Sequence, residues 1–248
     1  EQYIPFDVNE VNLDFQILDS NEEEGDMDVL LVAAKKDLID DYVQVITEAG
    51  LNPVAIDIAG FAVQNAYELN YEQDPEAVTA LVNIGAQVVN INVLRHGVPA
   101  FTRDIMTGGA QYTEEIQKAL SISFEEAERI KVGATPGYDD QVQDVIPQEV
   151  EQAMRSVSDT VIGEISRSLD FFGATSVDAR ITKVVLSGGG SKISGFANAF
   201  AERTGLETSS MNPLAHMLPS KKFEAAYLEA MAPLMAVAIG LAARGIDG

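Results

Sequence analysis

The sequence predicts a mixed α/β fold, and three observations carry the prediction. Three β-rich runs, "VTALVNIG", "VVNINVLRHG" and "VPAFTRDI", follow one another, with Gly85 and the pair His96–Gly97 at their turns. Val150, Met154, Val157, Val161, Ile165, Leu169 and Phe172 recur at helical spacing and mark a long amphipathic helix. "ITKVVLSGGGSKISGF" then reads as a strand, a turn of three consecutive glycines and a further helix. Strands, helices, then strand-turn-helix make a layered α/β architecture.

The opening segment differs in kind. "VNLDFQILD" alternates apolar and polar residues, and "MDVLLVAAK" is an apolar run after the acidic turn "SNEEEGD". Together they predict the two strands of a hairpin. In "DLIDDYVQVITEAG", Leu38, Ile39, Tyr42, Val43 and Ile46 share one helical face, and Gly50 stands just past the helix end. "PVAID" reads as another strand, so Val11 to Asp57 forms a small α+β subdomain.

A helix is expected from Ala59 to Leu69. Beyond the three β-rich runs, Thr107 is a candidate N-cap for the helix in "MTGGAQYTEEIQKAL". The next helix, "SFEEAERIKVG", opens with a capping box from Ser123 to Glu126 and ends at Gly133. "ATPGYDDQVQDVIP" is a turn-rich connector, with Pro147 in the first turn of the long helix. A helix closed by Gly205, the short strand "LETSSM" and a final helix from Phe223 to Arg244 complete the chain. Within that helix "MAPLMAVAIGLAA" reads as buried core, being shorter than the ~20 apolar residues of a bilayer span.

Composition narrows the function. The chain has 248 residues, and 16 Lys and Arg against 39 Asp and Glu give a net charge of -23. Such a surface opposes both a phosphate backbone and anionic lipid. With no cysteine, disulfides, thiolate catalysis and cysteine metal sites are excluded. His96 and His216 lie far apart, and Asp57, Asp104 and Asp170 are scattered carboxylates without a paired acid or base. Ser187 sits in no G-x-S-x-G elbow.

Glycine is the more informative residue. Gly188, Gly189 and Gly190 lack Cβ atoms, so positive φ and close ligand approach are open to them at a strand-to-helix turn. The G-x-x-x-x-G-K-[ST] loop is absent, and Ile193 occupies the third glycine position of G-x-G-x-x-G. Two other glycine turns flank strands, "VNIGAQ" and "MTGGAQYT", and "EEAERIKVG" places Glu128 and Lys131 on one helical face.

This order of turns resembles the second lobe of the actin-like ATPase superfamily. "EQYIPFDVNEVNLDFQIL", "VPAFTRDIMTGGAQYTEEI", "AERIKVG", "VVLSGGGSKISGF" and "APLMAVAIGLAARG" together resemble the PilM family of type IV pilus assembly, a relative of FtsA. The resemblance implies an actin-like fold of RNase H-like lobes, lacking the N-terminal first phosphate loop, with an FtsA-like α+β insertion subdomain. Its parts would be that subdomain at 1–57, a helix and link of the first lobe at 58–77, the second lobe at 78–222 with a helical insertion at about 110–175, and a C-terminal helix at 223–248.

It further implies a site for ATP or ADP with Mg²⁺ in the complete protein. Asn83, Gly85 and Ala86 would form the second phosphate loop, and Gly108 and Gly109 the turn after the third strand. Glu128 and Lys131 would lie beside adenine and ribose, with Gly188, Gly189, Gly190 and Lys192 in the adenosine turn. Asn83 replaces the family's usual Asp and Val89 a Thr, so hydrolysis is expected to be weak or absent, because an amide cannot organise Mg²⁺-bound water as a carboxylate does.

The implied function is a cytoplasmic scaffold, peripheral to the inner membrane, whose membrane contact runs only through partners. Its insertion subdomain would bind the cytoplasmic N-terminus of PilN by strand addition around Ile4, Phe6, Val11, Leu13 and Phe15. The pilus motor ATPases, the platform protein PilC and a homo-oligomeric ring are the other expected contacts. Two alternatives stand beside this reading: an FtsA-like actin-family ATPase, and the cytoplasmic domain of a type II secretion platform protein.

Overall fold

A computed structural model describes residues 4, 6–21, 26–72, 74–133, 147–176, 179–217 and 222–244. The centre of "SNEEEGD" and the connector at 134–146 lie outside the described residues. The chain divides into two compact units between Ile56 and Asp57.

The first unit is a hairpin followed by a helix. Strands β1 (Val11–Asn21) and β2 (Asp26–Lys35) pair antiparallel, with Phe15 opposite Leu31 and a register shift between Ile17 and Asp19. Helix α1 (Lys36–Glu48) ends in a Schellman turn: Gly50 N–H donates to Thr47 O at 2.9 Å and Leu51 N–H to Ile46 O at 3.1 Å. Gly50 takes φ +79°, which a side chain would strain. The strand expected at "PVAID" is not formed. Residues 53–57 pair with no strand among the described residues, and Val54 is 83% exposed. An apolar run becomes a strand only where a neighbour supplies hydrogen bonds.

The second unit is a five-stranded sheet with helices on both faces. Its strands are β3 (Val78–Ile84), β4 (Val89–Arg95), β5 (Val98–Ile105), β6 (Lys183–Ser187) and β7 (Glu207–Ser210), in spatial order β5-β4-β3-β6-β7. The first three form an antiparallel meander, turned at His96 and Gly97 with φ 54° and 76°. β6 and β7 join it in parallel.

On one face lie α3 (Gly109–Leu120), α4 (Phe124–Gly133), α5 (Gln148–Thr175) and α6 (Phe196–Thr204), around a core including Val82, Ile91, Ile165 and Phe200. All seven predicted positions of the long apolar stripe are buried on α5. Tyr112 is enclosed there with its hydroxyl 3.0 Å from Ser158 Oγ, and burial pushes its pKa up to about 12. The expected capping box forms on α4, Glu126 N–H reaching Ser123 Oγ at 3.2 Å and Ser123 N–H reaching Glu126 Oε2 at 3.0 Å.

The other face carries α2 (Ala59–Asn70) and the C-terminal helix α8 (Ala236–Ala243), over Leu81, Leu94 and Val185; α7 (Ala225–Met231), which precedes α8, buries no residue. The final helix is not uniform: a 3₁₀ turn at Ala232–Met235 containing Pro233 interrupts it. It is also less buried than its composition predicts. Ala225–Ala243 has a mean hydropathy of 1.6 over its most apolar window, only 22% of which is buried. Long and apolar enough to cross a membrane by those measures, it instead sets Ala236 and Gly240 against α2 and the sheet. Gly240 lies so close that a Cβ there would fall 1.6 Å from Ala62 O.

Candidate functional site

The three glycine turns meet at one end of the sheet. β3 and β6 run parallel and side by side, so the loops after Ile84 and Ser187 emerge together at their carboxyl ends. Such an edge, where strand direction changes across the sheet, is the usual ligand position in α/β folds. The turn after β5 is tied into the same place: Gly109 N–H donates to Gly85 O at 2.8 Å and Ala110 N–H to Ala86 O at 2.7 Å. These bonds satisfy the first amides of α3, so Gly108 rather than the expected Thr107 is its N-cap. The Thr107 hydroxyl instead donates to Gln111 at 2.7 Å.

The glycines divide by purpose. A Cβ on Gly108 would meet Gly85 O at 2.4 Å, and one on Gly188, with φ +82°, would meet Ile84 O at 2.4 Å. A Cβ on Gly190 would strike the Ile84 side chain at 2.2 Å. These positions are glycine because neighbouring loops press against them. Gly189 differs, since its nearest contact would be Leu234 at 3.9 Å. Gly188 N–H donates to Pro233 O at 2.7 Å, and the Lys192 ammonium donates to Ala230 O at 2.6 Å. Burial lowers the pKa of Lys192.

Glu128 and Lys131 form an ion pair at 2.6 Å. Lys131 also donates to Thr113 Oγ1 at 3.0 Å and to Gly109 O at 3.2 Å, placing the pair at the start of α3. Thr113 donates to Glu128 at 2.5 Å. Burial acts to raise the Glu128 carboxyl pKa, but the hydrogen bonds from Lys131 and Thr113, with the Lys131 charge, outweigh it and hold it low.

Asn83 belongs to a polar row that sequence reasoning did not find. Ser187 Oγ donates to Asn83 Oδ1 at 3.2 Å, Asn83 Nδ2 to Asn90 Oδ1 at 3.1 Å, and Asn90 Nδ2 to Asp104 Oδ1 at 2.8 Å. The row crosses β6, β3, β4 and β5 beside the turns, with Ser187, Asn83 and Asn90 buried. Position 83 must both accept and donate here, which an amide does and a carboxylate cannot. The alternation of Asn with Val and Ile in "VNINV" was the available signal.

Nucleotide fits this end of the sheet in part. Gly189 leaves open backbone, while Lys131 and Glu128 offer polar groups at the α3 start. Among the described residues no cluster of three or more His, Cys, Asp or Glu forms a metal site.

A second surface lies on the hairpin unit. Register places Leu13, Phe15 and Ile17 opposite Ala33, Leu31 and Val29, all six on one face. Phe15 is 65% exposed, and Leu13, Ile17, Val29 and Leu31 are exposed too. Of the other predicted residues, Val11 is buried, Ile4 is half-buried, and Phe6 lies under the Lys35 ammonium at 4.9 Å. The β2 half of this face was missed because "VLLVAA" hides its alternation inside a continuous apolar run.

A sheet of this order, covered on both faces, with glycine turns gathered at the ends of β3 and β6, defines an actin-like fold. The ethanolamine utilization protein EutJ from Carboxydothermus hydrogenoformans has it, at 21% identity and TM-score 0.56, over 81% of this chain and 58% of that one. So does MreB5 of Spiroplasma citri bound to ADP, at 14% identity and TM-score 0.56, over 87% and 68%. Within that class, the chain belongs to the PilM family: the family model described as type IV pilus assembly protein PilM matches residues 1–246. A structure of a PilM-PilN type IV pilus biogenesis complex matches at 30% identity and TM-score 0.84, over 100% of this chain and 70% of that one.

Proposed function

We propose that the protein is a type IV pilus assembly scaffold that captures the cytoplasmic N-terminal peptide of PilN on its hairpin unit. Carrying this reading is the exposed in-register apolar face of Leu13, Phe15, Ile17, Val29 and Leu31. Membership of the PilM family and the likeness to a PilM-PilN complex support the choice of partner. An extended peptide would add its backbone to a free strand edge and set alternate side chains on that face. The protein would thereby sit in the cytoplasm at the inner membrane, held there by its partner, with PilC and the motor ATPases meeting other surfaces.

The glycine turns would hold ATP or ADP, which brings the triphosphate or diphosphate charge to the sheet end. Gly189 would face it through backbone, and Lys131, oriented by Glu128 and Thr113, would supply positive charge. Asn83 is committed to the polar row, which supports a nucleotide that stiffens the fold rather than one that turns over quickly.

Calorimetric titration of the PilN N-terminal peptide into the full-length protein tests the scaffold reading. Saturable binding is expected, weakened at least about tenfold, or ~1.4 kcal/mol, by Phe15→Glu with Leu13→Glu. No binding to a folded protein, or binding indifferent to both substitutions, overturns it.

A further inference from the structure

At the end of the sheet opposite the glycine turns, a groove of about 890 Å³ opens between the second half of α5, the last turn of α6 and the segment entering β6. Its charge is the reverse of the chain's. Three arginines line it, Arg167 from α5, Arg180 from the entering segment and Arg203 from α6; among the described lining residues Asp170 is the one carboxylate, and Glu164 pairs with Arg167 beside the groove. The chain has 16 Lys and Arg and a net charge of -23, so this concentration is local and opposite in sign to the molecule.

Two of the arginines converge. A Cβ placed on Gly163 would lie 3.4 Å from one Arg203 guanidinium nitrogen and 3.6 Å from one of Arg167. Glycine there gives both groups room over the same point of α5. Neither guanidinium is fully consumed: Arg167 pairs with Glu164 one turn away, and Arg203 donates to Asp159 O at 3.2 Å. Arg180 makes no hydrogen bond or ion pair among the described residues, and all three side chains are exposed.

The backbone around the groove offers hydrogen-bond acceptors rather than donors. α5 and α6 both end here, so their last turns present carbonyls and the negative ends of their dipoles. Phosphate sites draw on helix N-termini and clustered backbone N–H groups, the opposite arrangement. A peptide matches better: its side-chain carboxylates meet the guanidinium forks, its own N–H groups meet the helix-end carbonyls, and apolar residues beside the acids meet Leu206 and Ile181. We propose that this groove docks a partner protein through an acidic segment with flanking apolar residues, at a surface separate from the hairpin face.

Selection of short random peptides displayed on phage against the full-length protein tests this, with the Arg180→Gln/Arg203→Gln variant as the counter-selecting bait. Both side chains are exposed, and matching thermal midpoints establish that the variant is folded; Arg180→Glu alone provides a second check. Peptides carrying Asp or Glu between apolar residues are expected to enrich despite the overall negative charge. A labelled representative should lose about tenfold in affinity on the double variant by fluorescence anisotropy, weaken with salt, and fail to bind when its acids are changed to amides. Enrichment without acids, or affinity unchanged in both variants, overturns the proposal. So does binding of pyrophosphate at these arginines with no acidic peptide bound.

Discussion

The amide of Gly188 is bonded to the carbonyl of Pro233 at 2.7 Å, so the triple-glycine turn is fastened to the break in the C-terminal helix. Lys192 makes a second tie to the same stretch through Ala230 O at 2.6 Å. A proline-containing break leaves carbonyls without intrahelical partners, and the turn supplies two of the donors.

That relationship separates the three glycines experimentally. Gly188→Ala should destabilise the protein by at least about 2 kcal/mol, through positive φ and contact with Ile84 O. Gly189→Ala should leave the thermal midpoint nearly unchanged and weaken ATP or ADP, read by calorimetry. Unchanged nucleotide affinity in a stable Gly189→Ala protein would remove that residue from the proposed site.

Asn83→Asp should not create a better ATPase. The new side chain cannot donate to Asn90 Oδ1, so a buried acceptor loses its donor at a cost of about 1–3 kcal/mol. Chemical denaturation checks the loss of stability, and phosphate release checks for any gain in turnover.

The Glu128–Lys131–Thr113 cluster sets a pH signature. Glu128 has a folded pKa below its ordinary value of 4.5. Its contribution to stability is therefore present above about pH 4.5 and is lost as pH falls through the lower folded value. Glu128→Gln should lower stability at pH 7 by under about 1 kcal/mol, since the carboxylate is partly solvated. The difference from wild type should shrink as pH falls below 4.5 and through the lower folded value, as followed by thermal melts across pH.

Gly240→Ala tests the contact between α2 and α8. A methyl group 1.6 Å from Ala62 O forces the helices apart, and a loss of about 3 kcal/mol is expected. Gly173→Ala, on a helix position with open space around it, should be neutral or slightly stabilising in the same assay.

What the sequence revealed follows from how locally each feature is encoded. The α5 stripe and the Gly50 and Gly205 helix ends were legible, because periodicity and positive φ leave their mark on neighbouring residues. "PVAID" was misread because strand formation depends on a neighbour that an apolar run does not specify. Pro233 was visible in the final helix, yet its break acquires meaning only through Gly188, distant in sequence. The glycine turns were recognisable one by one. That packing against Ile84 accounts for Gly188 and Gly190, while Gly189 stays open, depended on three-dimensional proximity.

The row from Ser187 to Asp104 also bears on how the chain finds its sheet. β3 is buried at all seven positions, so an in-or-out hydrophobic pattern leaves its alignment against β4 ambiguous. A slip of one residue would turn Asn83 away from Asn90 and strand buried amides among aliphatic side chains. The polar residues thus act as an alignment key, making misregistered sheets the costly ones.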